Sequence, residues 1–589
     1  MSVKLKPAGK ILLIAVVVTA GVFGVKWYQA RPKEAGKAVE LGKVVLPDAP
    51  EASLNANAVL LTLPSSSTTA VNGGSQITWE RMAWNSQFSG MYANGGVRTT
   101  KGSLFDKARL DITYLRQDDC NKQMADLAKF AGEYKTNPNT QGVLITFMGD
   151  GMPAFMTALS KELEPLGPEY QPIILPIAHG KSFGEDQIMA PASWKQDPHN
   201  AIGKCVAGVL RDGDVNILLK WAGDNGIKVN PDETTYDRDA INLIAANDFL
   251  DAPNKYITGY SEKRKIIEDG KTTGRDTTVG VDGVATWTPG DVNVATKKGG
   301  LVTIANTRQY ASQMPNQTIA IKKWAYDHRT DIENMIIALA EAGDQVRSFT
   351  EARKFAAQVS ASVYQEQNAD YWLKYYNGVE EKDIQGQKVN LGGSAVFNLP
   401  DMANTYGLGN DKVDRYKAVY NTFGNLMVKM YPAIMPSFMP YEKAVDKSFL
   451  LSVISNHPEL LEGKAIETKY AEKITEAVSS RSYHIEFETG SATIRPASYK
   501  MLNEIFESAV VAEGLKLGVY GHTDNNGSDA VNGPLSEKRA AAVKAYLVSK
   551  GLKDGQIETQ GLGSSKPVAD NSTESGRSRN RRVEIVLGE

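Results

Sequence analysis

Cysteine is nearly absent. Cys120 and Cys205 are the two in a chain of 589 residues, too few for a disulfide framework, so one bridge or two plain thiols stay open. Histidine is scarce as well. The six, at 179, 199, 328, 457, 484 and 522, show no H-x-x-x-H or Cys–His spacing, which leaves no metal-ligand pattern. No P-loop, nucleophile elbow or strand-following G-x-G-x-x-G is present. No cofactor, no metal and no enzymatic activity are therefore expected. Charge of one sign is lacking too: the formal net charge is -2, with no basic tail, which removes the electrostatic footprint of a nucleic-acid binder.

The length argues for two or more domains. Near the N-terminus, Lys4, Lys6 and Lys10 precede the uncharged "ILLIAVVVTAGVFGV" of residues 11–25, followed by Lys26, Trp27 and Tyr28. The run is short for a span of about 20 residues, but lysine snorkelling and interfacial aromatics extend it. The expectation is a cytoplasmic stretch 1–10, a transmembrane anchor 11–28, and the bulk in the periplasm: a single-pass inner-membrane protein. The alternative is a signal peptide cut after Val18-Thr19-Ala20, which would leave the apolar "GVFGVKWY" exposed. The span holds no Asp, Glu or His, so it offers no intramembrane ionisable group for an ion path. Residues 29–56 mix prolines, alanines and charges without lasting periodicity and read as a linker.

From 57 to 450 short apolar runs alternate with helical patterns. "AVLLTL" (58–63), "LDITYL" (110–115), "GVLITFM" (142–148), "QPIILPI" (171–177), "VNILLKW" (215–221) and "GLVTIAN" (300–306) read as strands. Residues 121–134, 153–163 and 198–212 read as helices, and the chain turns mostly helical after 316. Such alternation predicts an α/β domain of two lobes with parallel sheets. A last block, 464–589, predicts a compact α/β sandwich. Its expected helices lie at 465–480, 498–512 and 536–550, and its strands at 483–489, 515–521, 556–563 and 581–587.

One stretch in that block, "YGHTDNNGSDAVNGPLSEKRAAA" (520–542), places Asp524 in a turn and Arg539 in a helix. With Ser536 taken as the N-cap, Arg539 would stand near the positive end of the helix dipole, where a cation is mildly unfavourable. A partner explains it better. A carboxylate and a guanidinium side by side either clamp a zwitterion, ammonium on Asp524 and carboxylate on Arg539, or pair with each other.

The block resembles the C-terminal domain shared by OmpA, MotB and the Pal lipoprotein. The resemblance rests on "IEFETGSATI", "VYGHTDNNG", "NGPLSEKRAAAVKAYLVSKGL", "IETQGLGSSKPVADN" and "GRSRNRRVEIVL", in that order over 483–587. It implies non-covalent binding of peptidoglycan through the diaminopimelate of its stem peptide, held by Asp524 and Arg539. Thr523, Asn532, Leu535, Ser536, Arg577 and Arg582 match its other pocket positions.

More diffusely, residues 57–450 are similar to type II periplasmic substrate-binding proteins, through stretches such as 84–105, 149–155, 220–244 and 305–324. That implies a small-molecule ligand between lobes, against strand ends and helix starts. The turn clusters expected there offer Ser66, Asp150, His179, Ser182, Trp221 and Asp224. Together these readings imply an envelope tether of a Gram-negative cell that carries a solute-binding-like module. Two alternatives stand beside it: a MotB-like wall-anchoring subunit of an ion-driven membrane complex, and a solute receptor feeding a transporter. Partner proteins and oligomeric state stay open.

Overall fold

The five runs Ser75–Arg81, Leu110–Arg116, Gly142–Met148, Pro172–Leu175 and Asn316–Ile321 form one sheet in a computed structural model. It describes residues 59–589 apart from 211 and 212. The expected anchor, at 11–28, lies outside the described residues, as do 1–10 and the linker 29–56. Among the described residues no helix is long and apolar enough to cross a membrane.

Leu110–Arg116, Ser75–Arg81 and Gly142–Met148 run parallel, with Ile77 opposite both Ile112 and Gly142. Asn316–Ile321 is antiparallel to Gly142–Met148 and to Pro172–Leu175. The sequence "GVLITFM" is buried along nearly its whole length, as a run apolar on both faces demands. A second sheet of six strands follows the order Val302–Asn306, Gln187–Ala190, Gly283–Thr286, Cys205–Gly208, Ile241–Ala245 and Val229–Asn230. Residues 176–186 and 307–315 carry the chain between the two sheets. The expectation of purely parallel sheets is corrected here, because each sheet has an antiparallel strand in its interior, Asn316–Ile321 in one and Gln187–Ala190 in the other.

Helix Cys120–Thr136 forms where the pattern predicts, capped by Asp119 accepting from the Asn121 and Lys122 amides. Met152–Leu163, Arg329–Ser348 and Thr350–Tyr364 agree as well. Four expectations fail. "VNILLKW" lies in a helix, Gly213–Asp224, whose residues from 213 to 222 are all buried; a segment surrounded by protein carries no amphipathic stripe to separate helix from strand. Of the helix expected over 198–212, the described residues form a single 3-10 turn of helix, Pro198–Ala201, and a strand, Cys205–Gly208. Gly203 between them takes a φ of +75°, which ends any helix there. Residues 59–63 form no strand. Their backbone pairs with a side chain instead, Gln345 bonding the Leu61 amide and the Val59 carbonyl at 3.0 Å each. The strand Ser75–Arg81, central to its sheet, was not expected, because "SQITWER" mixes polar residues into a buried strand.

The last part of the chain builds a four-stranded sheet in the order Ala477–Tyr483, Val583–Gly588, Lys516–His522, Ile557–Gly563. Helices Tyr499–Val511 and Asp529–Ser549 pack with it. Residues 465–480 are not the expected helix. They run without a helix into the strand Ala477–Tyr483, whose backbone pairs with Val583–Gly588 along the sheet edge. The strand expected at 483–489 ends at Tyr483, and only the bridge between Phe487 and Ile494 follows.

Contacts join this sheet to the rest of the chain closely. Arg415 holds Glu513 through Nε at 2.9 and 3.0 Å and through Nη2 at 2.8 Å. Trp221 Nε1 donates to the Val478 carbonyl at 3.2 Å. The Ser480 amide donates to Asn225 at 3.2 Å, and Arg481 to the Gly223 carbonyl at 3.0 Å. Cys120 and Cys205 form no disulfide with each other.

Candidate functional site

The turn after strand Lys516–His522 places Asp524. Its carboxylate accepts from the Asn526 amide at 2.9 Å, an Asx turn that fixes the loop. The other oxygen meets Arg581 Nη1 at 2.5 Å. Asp524 is buried, at 6% exposure. A carboxylate in a turn after a strand would ordinarily face solvent, but the Asx turn and the Arg581 pair draw this one inward. Arg581 is shared, its Nη2 reaching Glu574 at 2.8 Å.

Helix Asp529–Ser549 begins well before Ser536, with Ser528 as its N-cap residue and Pro534 inside it. Ser536 is thus not the cap. It is fully buried, donating to the Gly533 carbonyl at 2.7 Å and accepting from the Gly563 amide at 2.9 Å. Arg539 stands more than two turns into the helix, too far from its start for the dipole to bear on it. Half-buried, it donates from Nε to the Ser491 carbonyl at 3.0 Å and lies over the Phe487 ring at 4.9 Å. Burial, and then the neighbouring charge of Arg581, lower its pKa, while Asp524 acts the other way. Among the described residues no ion pair joins Asp524 to Arg539. Their common neighbour is Arg581.

The other expected residues divide by what they hold. Asn532 donates to the Asn526 carbonyl at 3.1 Å and the Asp524 carbonyl at 3.3 Å, closing the Asp524 loop onto the helix. The Thr523 amide donates to the Gly563 carbonyl at 2.9 Å, and its buried hydroxyl has no hydrogen-bond partner. Leu535 is half-exposed. Arg577 is engaged by Glu574, at 2.7 Å, and by the Asn571 carbonyl, at 3.0 Å. Arg582 is buried against Ser482 and the Lys566 carbonyl, at 3.2 and 3.1 Å. His522, also buried, bonds Glu584 at 3.1 Å and is the main reason that carboxylate is held down to about 2.

A cavity of about 210 Å³ opens beside Arg539, lined also by Arg495, Arg581, Arg582, Phe487 and His522. Four guanidinium groups around so small a volume suit a carboxylate. Arg581 and Arg495 were not among the expected residues. The adjacent arginines of "NRRV" were a visible signal, but which of the two meets Asp524 depends on where strand Val583–Gly588 begins.

The six residues expected to line a cleft are not brought together. Ser66 is exposed in a loop that bonds residues 99 and 101. Asp150, His179 and Ser182 are buried at the sheet junction, bonded to Gln313, Asn316 and Thr307 respectively. Burial and nearby Arg81 push His179 down to about 3. Trp221 and Asp224 face the C-terminal part, bonded to Val478 and Ser508. The reason is the helix that replaced a strand at 215–221, which carries both residues away from any strand end.

Residues 486–581 match the OmpA family. Relatives include the peptidoglycan-binding protein ArfA of Mycobacterium tuberculosis, 43% identical over 18% of this chain and 32% of its own length. The outer-membrane lipoprotein YfiB of Pseudomonas aeruginosa is 44% identical over 16% of this chain and 56% of its own. This chain thus spans between about a third and a little over half of these relatives. Among solved structures, the cell wall anchor of the T6SS from Pseudomonas aeruginosa aligns at 30% identity over 20% of this chain and 87% of that one, with a TM-score of 0.18. The C-terminal part of this chain, which holds Asp524, Arg539 and Arg581, is thus similar to the OmpA family over residues 486–581, and one relative matched there, ArfA, is a peptidoglycan-binding protein.

Proposed function

We propose that this protein is a non-enzymatic envelope tether. Its C-terminal domain holds peptidoglycan non-covalently, residues 57–450 present a solute-binding-like module, and the anchor 11–28 fastens the chain to the inner membrane, leaving the bulk in the periplasm. The observation that carries the wall-binding reading is the arginine-lined cavity beside Arg539, one side chain removed from Asp524. A stem-peptide diaminopimelate offers a carboxylate for Arg539 and an ammonium for Asp524. An ionised carboxylate has about four lone-pair positions, so Asp524 can accept an ammonium beside the Asn526 amide and Arg581.

The test is co-sedimentation with purified peptidoglycan. Losing a charge-assisted hydrogen bond costs roughly 1.5 to 3 kcal/mol, so Arg539→Ala should weaken binding by about ten- to a hundredfold. Amidating the diaminopimelate carboxylate should reproduce that loss with the unaltered protein. Binding indifferent to both changes would reject the site.

A further inference from the structure

A cleft of about 800 Å³ opens where the C-terminal domain meets the rest of the chain, within the ordinary size of a ligand site. One side is built by the end of helix Gly213–Asp224, by strand Val229–Asn230 and by helix Arg415–Met430. The other is built by strand Ala477–Tyr483 and helix Tyr499–Val511. The two sides are fixed to each other by Arg415 on Glu513, Trp221 on the Val478 carbonyl and Arg481 on the Gly223 carbonyl, so the fold sets the width of the cleft. Leu219, Ile227 and Val229, all buried, and the half-buried Leu426, Met430 and Met501 give it an apolar floor.

The charges around the cleft do not cancel. Lys220 is held by Asp224, and Lys228 by Asp237. Lys429, Arg481 and Lys500 are exposed on its rim, and among the described residues they enter no ion pair. Arg481 donates to the Gly223 carbonyl at 3.0 Å, which leaves most of its N–H groups open. Against these cations stand Glu504, exposed, and Glu507, which bonds Asn421 at 3.4 Å and whose pKa burial raises. The unfilled capacity is therefore for carboxylates, and Arg481 offers the planar fork that grips one in bidentate fashion.

Strand Ala477–Tyr483 carries the cleft to the wall cavity. Tyr483 lines the cleft, and His484, next in the chain, lines the cavity beside Arg539. A second wall does the same: Arg495 belongs to the cavity and Lys500 to the cleft, with the single turn Pro496–Ser498 between them. Both walls pass from one space to the other within a few residues, and consecutive Cα atoms are about 3.8 Å apart.

We propose that the cleft receives the remainder of the stem peptide whose diaminopimelate is held in the cavity, so that residues 59–450 complete the wall site. A tetrapeptide of L-alanine, γ-linked D-glutamate, diaminopimelate and D-alanine keeps the glutamate α-carboxylate and the alanine C-terminus free, besides the diaminopimelate carboxylate. These anions match Arg481, Lys429 and Lys500, and the alanine methyls match the apolar floor. An extended peptide advances at most about 3.3 to 3.6 Å per residue, so the residues flanking diaminopimelate span the step from His484 to Tyr483. An acidic segment of a partner protein would meet the same cations but would not continue from the cavity, and the test separates the two. This deepens the wall-binding reading and rests on it.

The experiment titrates the full chain calorimetrically with three probes: free meso-diaminopimelate, the stem tetrapeptide, and the tetrapeptide with its glutamate carboxylate amidated. The tetrapeptide should bind at least about tenfold more tightly than diaminopimelate, with the amidated probe in between. The double variant Lys429→Glu with Lys500→Glu should weaken the tetrapeptide by about tenfold or more and leave diaminopimelate within about twofold. It should also cease to distinguish the amidated probe, since groups that share a contact are coupled. Its Tm should match wild type, because both lysines are exposed and enter no ion pair. Arg539→Ala should weaken all three probes. The proposal is overturned, with the wall-binding reading intact, if the tetrapeptide binds no more tightly than diaminopimelate or if the double variant binds it unchanged. It is overturned equally if the double variant weakens diaminopimelate as much as the tetrapeptide, which would make the lysines a general attraction for anions. If the wild type binds none of the probes, the wall-binding reading falls and the role of the cleft falls with it.

Discussion

Asp524→Ala should lose both wall binding and stability, while Asp524→Asn should lose mainly wall binding. The alanine variant removes the acceptor of the Asn526 amide and one of the two carboxylates on Arg581. Leaving those donors short costs about 1 to 3 kcal/mol, toward the lower end because Arg581 keeps Glu574 and is 37% exposed at its side chain. Asparagine keeps an oxygen for the Asn526 amide and the shape of the turn, but not the charge that an ammonium would meet. Both variants should bind peptidoglycan about ten- to a hundredfold more weakly. Calorimetric melting beside co-sedimentation separates the effects. A lowered Tm with unchanged sedimentation would mean that Asp524 serves Arg581 alone. Combining Asp524→Ala with Arg539→Ala should cost less binding than the sum of the two, since groups that share one ligand are coupled.

The second large effect is expected at Glu513, where the OmpA-family domain meets the rest of the chain. Glu513 accepts from Arg415 on both oxygens and from Ser312 Oγ at 2.7 Å. Burial would raise its pKa, but the charge and hydrogen bonds of Arg415, aided by Lys181 and Ser312, bring it down to about 2. A carboxyl held below its unfolded value contributes stability above that value and loses it as the pH falls through the folded one. The contribution should therefore be intact above about pH 4.5 and fade toward pH 2. From 4.5 to about 2 corresponds to roughly 3 kcal/mol at 1.36 kcal/mol per unit. Glu513→Gln should cost about that much at pH 7, in the range for breaking one side of a buried pair, because Asp411 remains on Arg415 but cannot replace the lost contacts. The variant should also show a flatter stability profile between pH 4.5 and 2. Denaturant unfolding at pH 7 and in acid measures both. Identical curves for variant and wild type would show the pair to be energetically idle.

The Glu513 contact also bears on how the two parts work together. The Ser312 amide donates to the Val511 carbonyl at 3.2 Å and the Gly514 amide to the Gln309 carbonyl at 3.0 Å, so the crossing 307–315 is itself bonded to the C-terminal domain.

Local pattern alone determined a good part of this protein. Strands Leu110–Arg116 and Gly142–Met148 and helices Cys120–Thr136 and Arg329–Ser348 follow from apolar spacing and capping, which act within one turn or one strand. The order of motifs over 483–587 determined the C-terminal domain, and it named Asp524 and Arg539. Tertiary structure decided the rest. "VNILLKW" became a helix because protein surrounds it on every side and periodicity is silent there. Residues 477–483 became a strand because Val583–Gly588, about a hundred residues away, offered an edge to pair with. Arg581, not Arg539 or Arg582, meets Asp524, because a strand start and a turn converge in space and not in sequence.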